Sequence, residues 1–196
     1  MAERSGMTRT EEAVYEAAVE LMSARGFHGT SQRDVAGAVG MHMSSLYHYF
    51  PSKQAMLVAI MRRTMEDLHA FVEPEISAGG TPRERLLRGI RAHVLFHADR
   101  RRETIIADSE IRALEDGNRD AVIALRDRYG ALFRDVLEDG KRAGVFRFGD
   151  AHVATNALMT MCAGVATWYS PTGRLTLDEI ADEIAGLFLE GITPAG

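Results

Sequence analysis

The stretch Thr30-Ser31-Gln32-Arg33-Asp34-Val35-Ala36-Gly37-Ala38-Val39-Gly40-Met41-His42-Met43-Ser44-Ser45-Leu46-Tyr47-His48-Tyr49-Phe50-Pro51-Ser52-Lys53 decides how the chain is read. It divides into two short helical segments joined by a tight turn, with a third helix starting directly behind. Val35, Ala36 and Val39 share one helical face, and Leu46 and Phe50 share another, so the two segments can pack together. Gly40 supplies the small residue such a turn often needs. The spacing leaves Met43, Ser44, Tyr47, His48 and Tyr49 exposed on the second segment. These side chains can hydrogen-bond, stack or touch a thymine methyl, as a DNA recognition helix requires.

The flanking residues extend the pattern. Thr8-Arg9-Thr10-Glu11 is a capping box. It opens a helix whose apolar positions Val14, Ala17, Ala18, Leu21 and Met22 recur at helical spacing. Gly26-Phe27-x-Gly29-Thr30 ends that helix, and Leu46-Tyr47-His48-Tyr49-Phe50-Pro51-Ser52-Lys53 closes the unit. From Thr8 to Leu68 the chain resembles the DNA-binding domain of the tetracycline-repressor (TetR) family of bacterial regulators. That resemblance implies an all-helical homodimer in which a divergent second domain binds a small effector. It divides the chain into a DNA-binding domain over 8–68, with its helix-turn-helix at 31–50, and a ligand-binding and dimerisation domain over 69–196.

Roles follow in part from position and in part from the resemblance. Unpaired backbone N–H groups near Ser31 suit a phosphate. The resemblance places Ser31, Gln32 and Arg33 on the DNA backbone, with Gln32 or Arg33 able to reach a base edge. The alternative is that Ser31 only caps its helix and Arg33 is solvated. His42, Met43, Ser44 and Ser45, near the start of the recognition helix, approach the bases, and the short serines allow a deep seat in the major groove. Tyr47, His48 and Tyr49 correspond to positions touching phosphates and flanking bases, and Lys53 is expected to clamp a phosphate. The partner is therefore double-stranded DNA with a near-palindromic operator.

Composition sets the outer limits. The chain has 196 residues, 46% hydrophobic and 26% charged, ordinary for a globular protein that can bury a sizeable core. No apolar run reaches the roughly 18 residues of a membrane span, and Met1 to Arg9 is polar without an apolar signal core. One cysteine excludes an internal disulfide framework, and a cytoplasmic protein without membrane partners is expected. The net charge of −5 runs against the usual basic surface of a DNA binder. Up to Ile60, however, five of the six acids are Glu3, Glu11, Glu12, Glu16 and Glu20, away from the turn, whereas Arg33 and Lys53 flank it. At a Debye length of about 8–10 Å local sign outweighs net charge, so weak non-specific DNA affinity is expected.

The remainder reads as helices throughout. Ser52 starts a long helix with Met56, Ile60, Met61, Thr64, Met65, Leu68 and Phe71 as its buried face. Thr81-Pro82-Arg83-Glu84 is a capping box with proline at the first helical position. A shorter helix spans about Glu103 to Leu114, a long one Arg119 to about Ala143, and an apolar one runs from Asp150 to Tyr169. Thr176-Leu177-Asp178-Glu179 opens the last, to about Gly191. No alternating strand pattern appears.

The second half carries no enzyme motif: no HExxH, GxSxG, phosphate-binding glycine loop or CxxC pair. Cys162 reads as a small core residue. His93 and His97 are four apart and share a helix face. That spacing permits a metal, but no further ligand completes the site, so a polar lining for a cavity is the better reading and no metal or cofactor is expected. Phe96, Ile105, Ile106, Tyr129, Phe133, Met159, Trp168 and Tyr169 are candidates for the apolar wall, and ten methionines favour an adaptable interior. Trp168 to Leu175 resembles the same region in TetR-like regulators of fatty-acid and sterol degradation, whose effectors are acyl-CoA thioesters. Arg100-Arg101-Arg102, read as a loop, would offer charge for the phosphates.

The last two helices look too apolar to face water. Val153, Ala154, Ala157, Leu158, Met161, Val165 and Trp168 on one, and Leu177, Ile180, Ile184, Leu187, Phe188 and Ile192 on the other, would pair across a two-fold axis. The reading is a regulator, most simply a repressor released by a small apolar effector. A regulator without an effector, or an enzyme in the helical second domain, remain the alternatives.

Overall fold

The computed structural model describes residues 8–193; Met1 to Met7, read above as part of a polar terminus, and Pro194 to Gly196 lie outside the described residues. The described chain is helical, with no strand. In order come α1 (Arg9–Arg25), α2 (Gln32–Ala38), α3 (Met43–Tyr49), α4 (Lys53–Ser77), α5 (Pro82–Asp99), α6 (Arg101–Ser109) and a 3₁₀ turn (Ile111–Ala113). Then follow α7 (Asp116–Arg142), α8 (Ala151–Ala163), α9 (Val165–Trp168) and α10 (Leu177–Ile192). The helix starts follow the capping chemistry of the sequence. Thr8, Ser31, Thr81 and Thr176 each accept from the backbone N–H three residues on, while an acid at that position reaches back to the cap. Ser52 and Asp150 cap α4 and α8 with one such bond each.

Two apolar clusters fill the molecule, and α4 runs through both. The first joins Val14, Ala18 and Met22 of α1, Val35 and Ala36 of α2, Leu46 of α3, and Met56, Leu57, Ile60 and Met61 of α4. It also takes Ile106 and Ala107 from α6, Leu114 and Val122. The second joins Leu68, Val72 and Ile76 of α4 to Ile90, Phe133, Leu158, Ile184 and Phe188. Gly40, at φ +66° in the α2–α3 turn, adopts a conformation that side chains disfavour. Gly89 matters for proximity: a Cβ there would lie 2.9 Å from Ile76 Cδ1 and 3.1 Å from Phe133 Cε1. Its absence lets α5 press against α4 and α7 one turn before His93.

The structure corrects several details. Phe71 is half-exposed, because the apolar stripe of α4 continues through Val72 and Ile76 instead. α7 begins at Asp116, three residues early, since Glu115 in extended conformation starts it. The apolar helix after Asp150 breaks at Gly164 into α8 and α9. Arg100-Arg101-Arg102 is not a loop: Arg101 opens α6. Ile106 packs in the first cluster, away from any ligand wall. Of the residues assigned to a dimer face, Leu158, Val165, Ile180, Ile184, Phe188 and Ile192 are buried within the chain's own core. Val153, Ala157, Met161, Trp168 and Leu187 stay exposed.

Candidate DNA-binding face and ligand cavity

The helix-turn-helix is held by polar bonds as well as its core. Ser31 Oγ accepts from Asp34 N–H at 3.1 Å and donates to Asp34 Oδ2 at 2.6 Å. The same carboxylate takes Ser31 N–H at 2.8 Å, and these bonds hold it below its ordinary pKa. Ser31 therefore caps, and the hydroxyl expected on a phosphate is engaged by Asp34. Gln32 Nε2 donates to Phe50 O at 3.1 Å, tying α2 to the end of α3. Arg33 is exposed.

On α3, His42, Ser44, Ser45, Tyr47 and His48 are exposed, with Tyr47 at 50%. Met43 and Tyr49 differ from the sequence reading: both are half-buried against the first cluster, because α3 is only two turns long and packs against α2. The His48 and Tyr49 rings meet edge-on at 6.2 Å. Lys53 is also occupied: its Nζ donates to Phe27 O at 3.0 Å and lies 4.2 Å from the centre of the Phe27 ring. The carbonyl and the aromatic face both hold the ammonium group at the α1–α2 corner.

The other half of the molecule grips that same corner. Glu110, between α6 and the 3₁₀ turn, accepts Phe27 N–H on Oε1 at 3.1 Å. Gln54 Nε2 donates to Ala113 O at 2.6 Å. Within the 8–68 unit itself, Arg63 of α4 binds both carboxylate oxygens of Glu12 at the start of α1, at 2.7 and 3.2 Å, over the Tyr15 ring. Spacing patterns do not reveal such long-range bonds.

A cavity of about 390 Å³ lies between α4, α5, α7 and α8, closed on one side by Asp108 and Ile111 of the α6–3₁₀ segment. Met65, Leu68 and Met159 form its apolar wall, His93, His97 and Tyr129 its floor, and Arg126, Asp127, Arg134 and His152 stand at its mouth. Of the residues assigned to a ligand from sequence, His93, His97, Tyr129 and Met159 line it. Phe96 and Phe133 are buried behind, Phe133 edge-on to His93 at 5.9 Å. Trp168 is elsewhere: 56% exposed, it borders an outer groove with Tyr169, Leu175 and Leu187. The charged mouth escaped the sequence reading because Asp108, Arg126, Arg134 and His152 come from three separate helices and carry no local pattern.

The floor is a stack. The His93 and His97 rings lie 4.0 Å apart and 13° from parallel, and Tyr129 stacks on His93 at 5.6 Å. His97 Nδ1 donates to His93 O at 2.9 Å, and His93 Nδ1 lies 2.6 Å from the Tyr129 hydroxyl. Parallel rings with both Nδ1 atoms committed do not converge on one metal ion. Burial pushes both histidines below their ordinary pKa, His93 well below, with the neighbouring His97 adding to the effect. Burial pushes the Tyr129 phenol well above its own. Cys162 is buried and its thiol is pushed up to about 12, so it behaves as a small core residue. Arg101 is spent on Thr167 O and Tyr169 O at 3.0 and 3.4 Å, and Arg100 on Asp99 and Glu103.

A helix-turn-helix joined by one long helix to a helical domain with an internal cavity defines a ligand-linked DNA regulator. Residues 14–60 match the family described as bacterial regulatory proteins, tetR family, and residues 79–192 match the tetracyclin repressor-like C-terminal domain. The chain belongs to the TetR family of bacterial transcriptional regulators. It is 29% identical to the HTH-type transcriptional repressor KstR2 of Rhodococcus jostii (strain RHA1) over 191 residues, 96% of this chain and 93% of that one. Among solved structures it is similar to the TetR family regulator PfmR from Thermus thermophilus, with 31% identity and a TM-score of 0.82, over 90% of this chain and 97% of that one. It is also similar to AibR in complex with isovaleryl coenzyme A and operator DNA, with 28% identity and a TM-score of 0.84, over 91% and 97%. Among the described residues no helix is long and apolar enough to cross a membrane.

Proposed function

We propose that the protein is a cytoplasmic repressor that binds a near-palindromic operator as a homodimer and is released by a small acyl compound, a coenzyme A thioester being the leading class. The observation that carries this is the α6–3₁₀ segment. Asp108 and Ile111 wall the cavity, while Glu110 between them holds Phe27 N–H at the corner where Lys53 also binds. A ligand that favours another arrangement of this segment bears directly on the DNA-binding unit, and by linkage operator and ligand then oppose one another.

His42, Ser44, Ser45, Tyr47, His48 and Arg33 are the residues free to meet DNA, with Met43 and Tyr49 contributing from the edge of α3. Ser31 and Gln32 brace the motif, and Lys53 exchanges its carbonyl partner for a phosphate. His93, His97, Tyr129 and Met159 contact the ligand. The cavity is near the low end of the ~300–1,000 Å³ range of ligand sites, enough for a short acyl chain with its coenzyme outside. The isovaleryl coenzyme A bound by AibR supports that class. The dimer is expected along the exposed stripe Val153, Ala157, Met161, Trp168 and Leu187, which spacing puts on one side of α8–α9 and beside α10.

The test is selection of genomic DNA fragments by the purified protein, followed by operator titrations with acyl-CoAs, free fatty acids, sterols and planar aromatics. Release by short acyl-CoAs supports the reading. Failure of every compound to shift operator affinity removes the effector and leaves the DNA-binding assignment standing.

A further inference from the structure

One ring atom buried at the cavity floor has nothing to bind. His93 is 2% exposed, and its Nε2 is buried without a hydrogen-bond partner among the described residues. His97 stacks on the ring at 4.0 Å, Tyr129 lies beside it at 5.6 Å with its hydroxyl on Nδ1, and Phe133 stands against it edge-on. Only Nδ1 is satisfied, by the Tyr129 hydroxyl.

Counting hydrogens decides the tautomer. The Tyr129 hydroxyl bonds to His93 and to no other group among the described residues. Were Nδ1 protonated, the phenol hydrogen and the Nε2 lone pair would both lack partners. With the phenol donating to Nδ1, a single group remains unsatisfied, the Nε2–H donor. The ring also stays neutral, since burial opposes a second proton. His93 thus carries a neutral donor buried at the floor of the cavity, beside a wall of Met65, Leu68 and Met159, and a ligand reaches it by displacing the side chains that now cover Nε2.

A neutral, desolvated donor favours a neutral acceptor. A carboxylate here would need a buried counter-charge. The cations at the mouth do not supply one at this depth: Arg126 is held by Ala107 O and Asp108, and Arg134 stands beside exposed His152.

We propose that His93 Nε2–H is the donor that reads the acyl carbonyl oxygen of the effector, placing the chain against Met65, Leu68 and Met159. This rests on the cavity being the effector site. It assigns the site's polar selectivity to one atom and requires the end of the ligand inside the cavity to be an uncharged acyl group, with any charged carrier outside.

Calorimetric titration with three probes tests it: isovaleryl-CoA, the matching S-isopentyl-CoA thioether lacking the carbonyl, and free isovalerate. Wild type should bind the thioester about tenfold or more tightly than the thioether, since a buried donor is left unmade with the latter. Free isovalerate should bind more weakly than the thioester. His93→Phe should abolish the thioester preference, so that thioester and thioether bind with equal affinity. His93→Gln, which retains an N–H donor, should recover much of it. Ring ¹H–¹⁵N spectra of the wild type provide a measure independent of the variants: His93 should be the neutral Nε2–H tautomer, and its shift should move with thioester and not with thioether.

Equal binding of thioester and thioether, tighter binding of the free acid, or an Nδ1–H tautomer each overturns the role of His93 while leaving the effector reading intact. If wild type binds none of the three, both fall.

Discussion

Leu187→Asp separates association from folding. Leu187 is 63% exposed within its own chain and stands beside Trp168, itself 56% exposed. Complete burial of a leucine contributes roughly 1.5–3 kcal/mol. The exposed two-thirds of Leu187 therefore offers about 1–2 kcal/mol to an interface, and a two-fold axis counts it twice, for about 2–4 kcal/mol. Aspartate removes this and adds a desolvated carboxylate on each side, at several kcal/mol per ion. The dimer should weaken by more than about 4 kcal/mol, close to three orders of magnitude in dissociation constant. Sedimentation velocity at micromolar concentration should show wild-type dimers and Leu187→Asp monomers of unchanged helicity and melting temperature. The single tryptophan reports the same event: Trp168 emission should lie further to the red in the variant. Phe188→Asp is not equivalent, although the two positions are neighbours in sequence. Phe188 is 7% exposed in the second core cluster, and its substitution should unfold the domain. A wild-type monomer at micromolar concentration, or a Leu187→Asp dimer, would refute the reasoning.

Tyr47→Ala removes an exposed side chain, so the melting temperature should hold within the ~0.5 kcal/mol typical of surface changes. Operator affinity should fall on all operator variants alike, and unchanged affinity would take Tyr47 off the interface. Lys53→Ala should do two things: lower stability by about 1–2 kcal/mol through the lost bond to Phe27 O, and reduce the salt slope of operator binding by about one. A salt slope equal to wild type would sink the phosphate role. His93 and His97 are held neutral, below their ordinary value of 6.5, so the unfolded chain binds more protons in mild acid. Stability is full above 6.5 and should fall as pH drops below it. Thermal melts from about pH 7.5 to 5.5 should show this loss, smaller in His97→Phe, and a wild-type melting temperature flat over that range would count against buried neutral rings.

The helix-turn-helix was readable because its determinants are local. Capping boxes at Thr8 and Ser31, Gly40 in the turn and the Leu46–Phe50 face each act within a few residues. Burial on the far side of a helix is decided by what packs there, which is why Met43, Tyr49 and Phe71 were misread. The cavity floor was half legible: the i, i+4 spacing put His93 and His97 on one face, but the Tyr129 hydroxyl that holds His93 Nδ1 comes from another helix. Trp168 was assigned to the ligand because an aromatic beside an apolar helix suits a wall as well as an outer face. It lies in α9, past the break at Gly164, and is exposed. The Glu110–Phe27 bond joins positions 83 residues apart, beyond any periodicity.

α4, 25 residues from Lys53 to Ser77 with Pro74 breaking the hydrogen-bond ladder in its last turn, has a mechanical consequence. At about 1.5 Å per residue it is a rod of roughly 37 Å, with Met65 at the cavity near its midpoint and Lys53 at its far end. A tilt of about 5° about the Ser77 end displaces Met65 by about 1.6 Å and Lys53 by about 3 Å, a lever with a gain of two. Paired about a two-fold axis, two such levers alter the spacing of the reading heads by up to about 6 Å, nearly two base-pair steps along the duplex. In the proposed dimer, an adjustment no larger than the repacking of one methionine side chain would be enough to put two recognition helices out of step with the grooves they read.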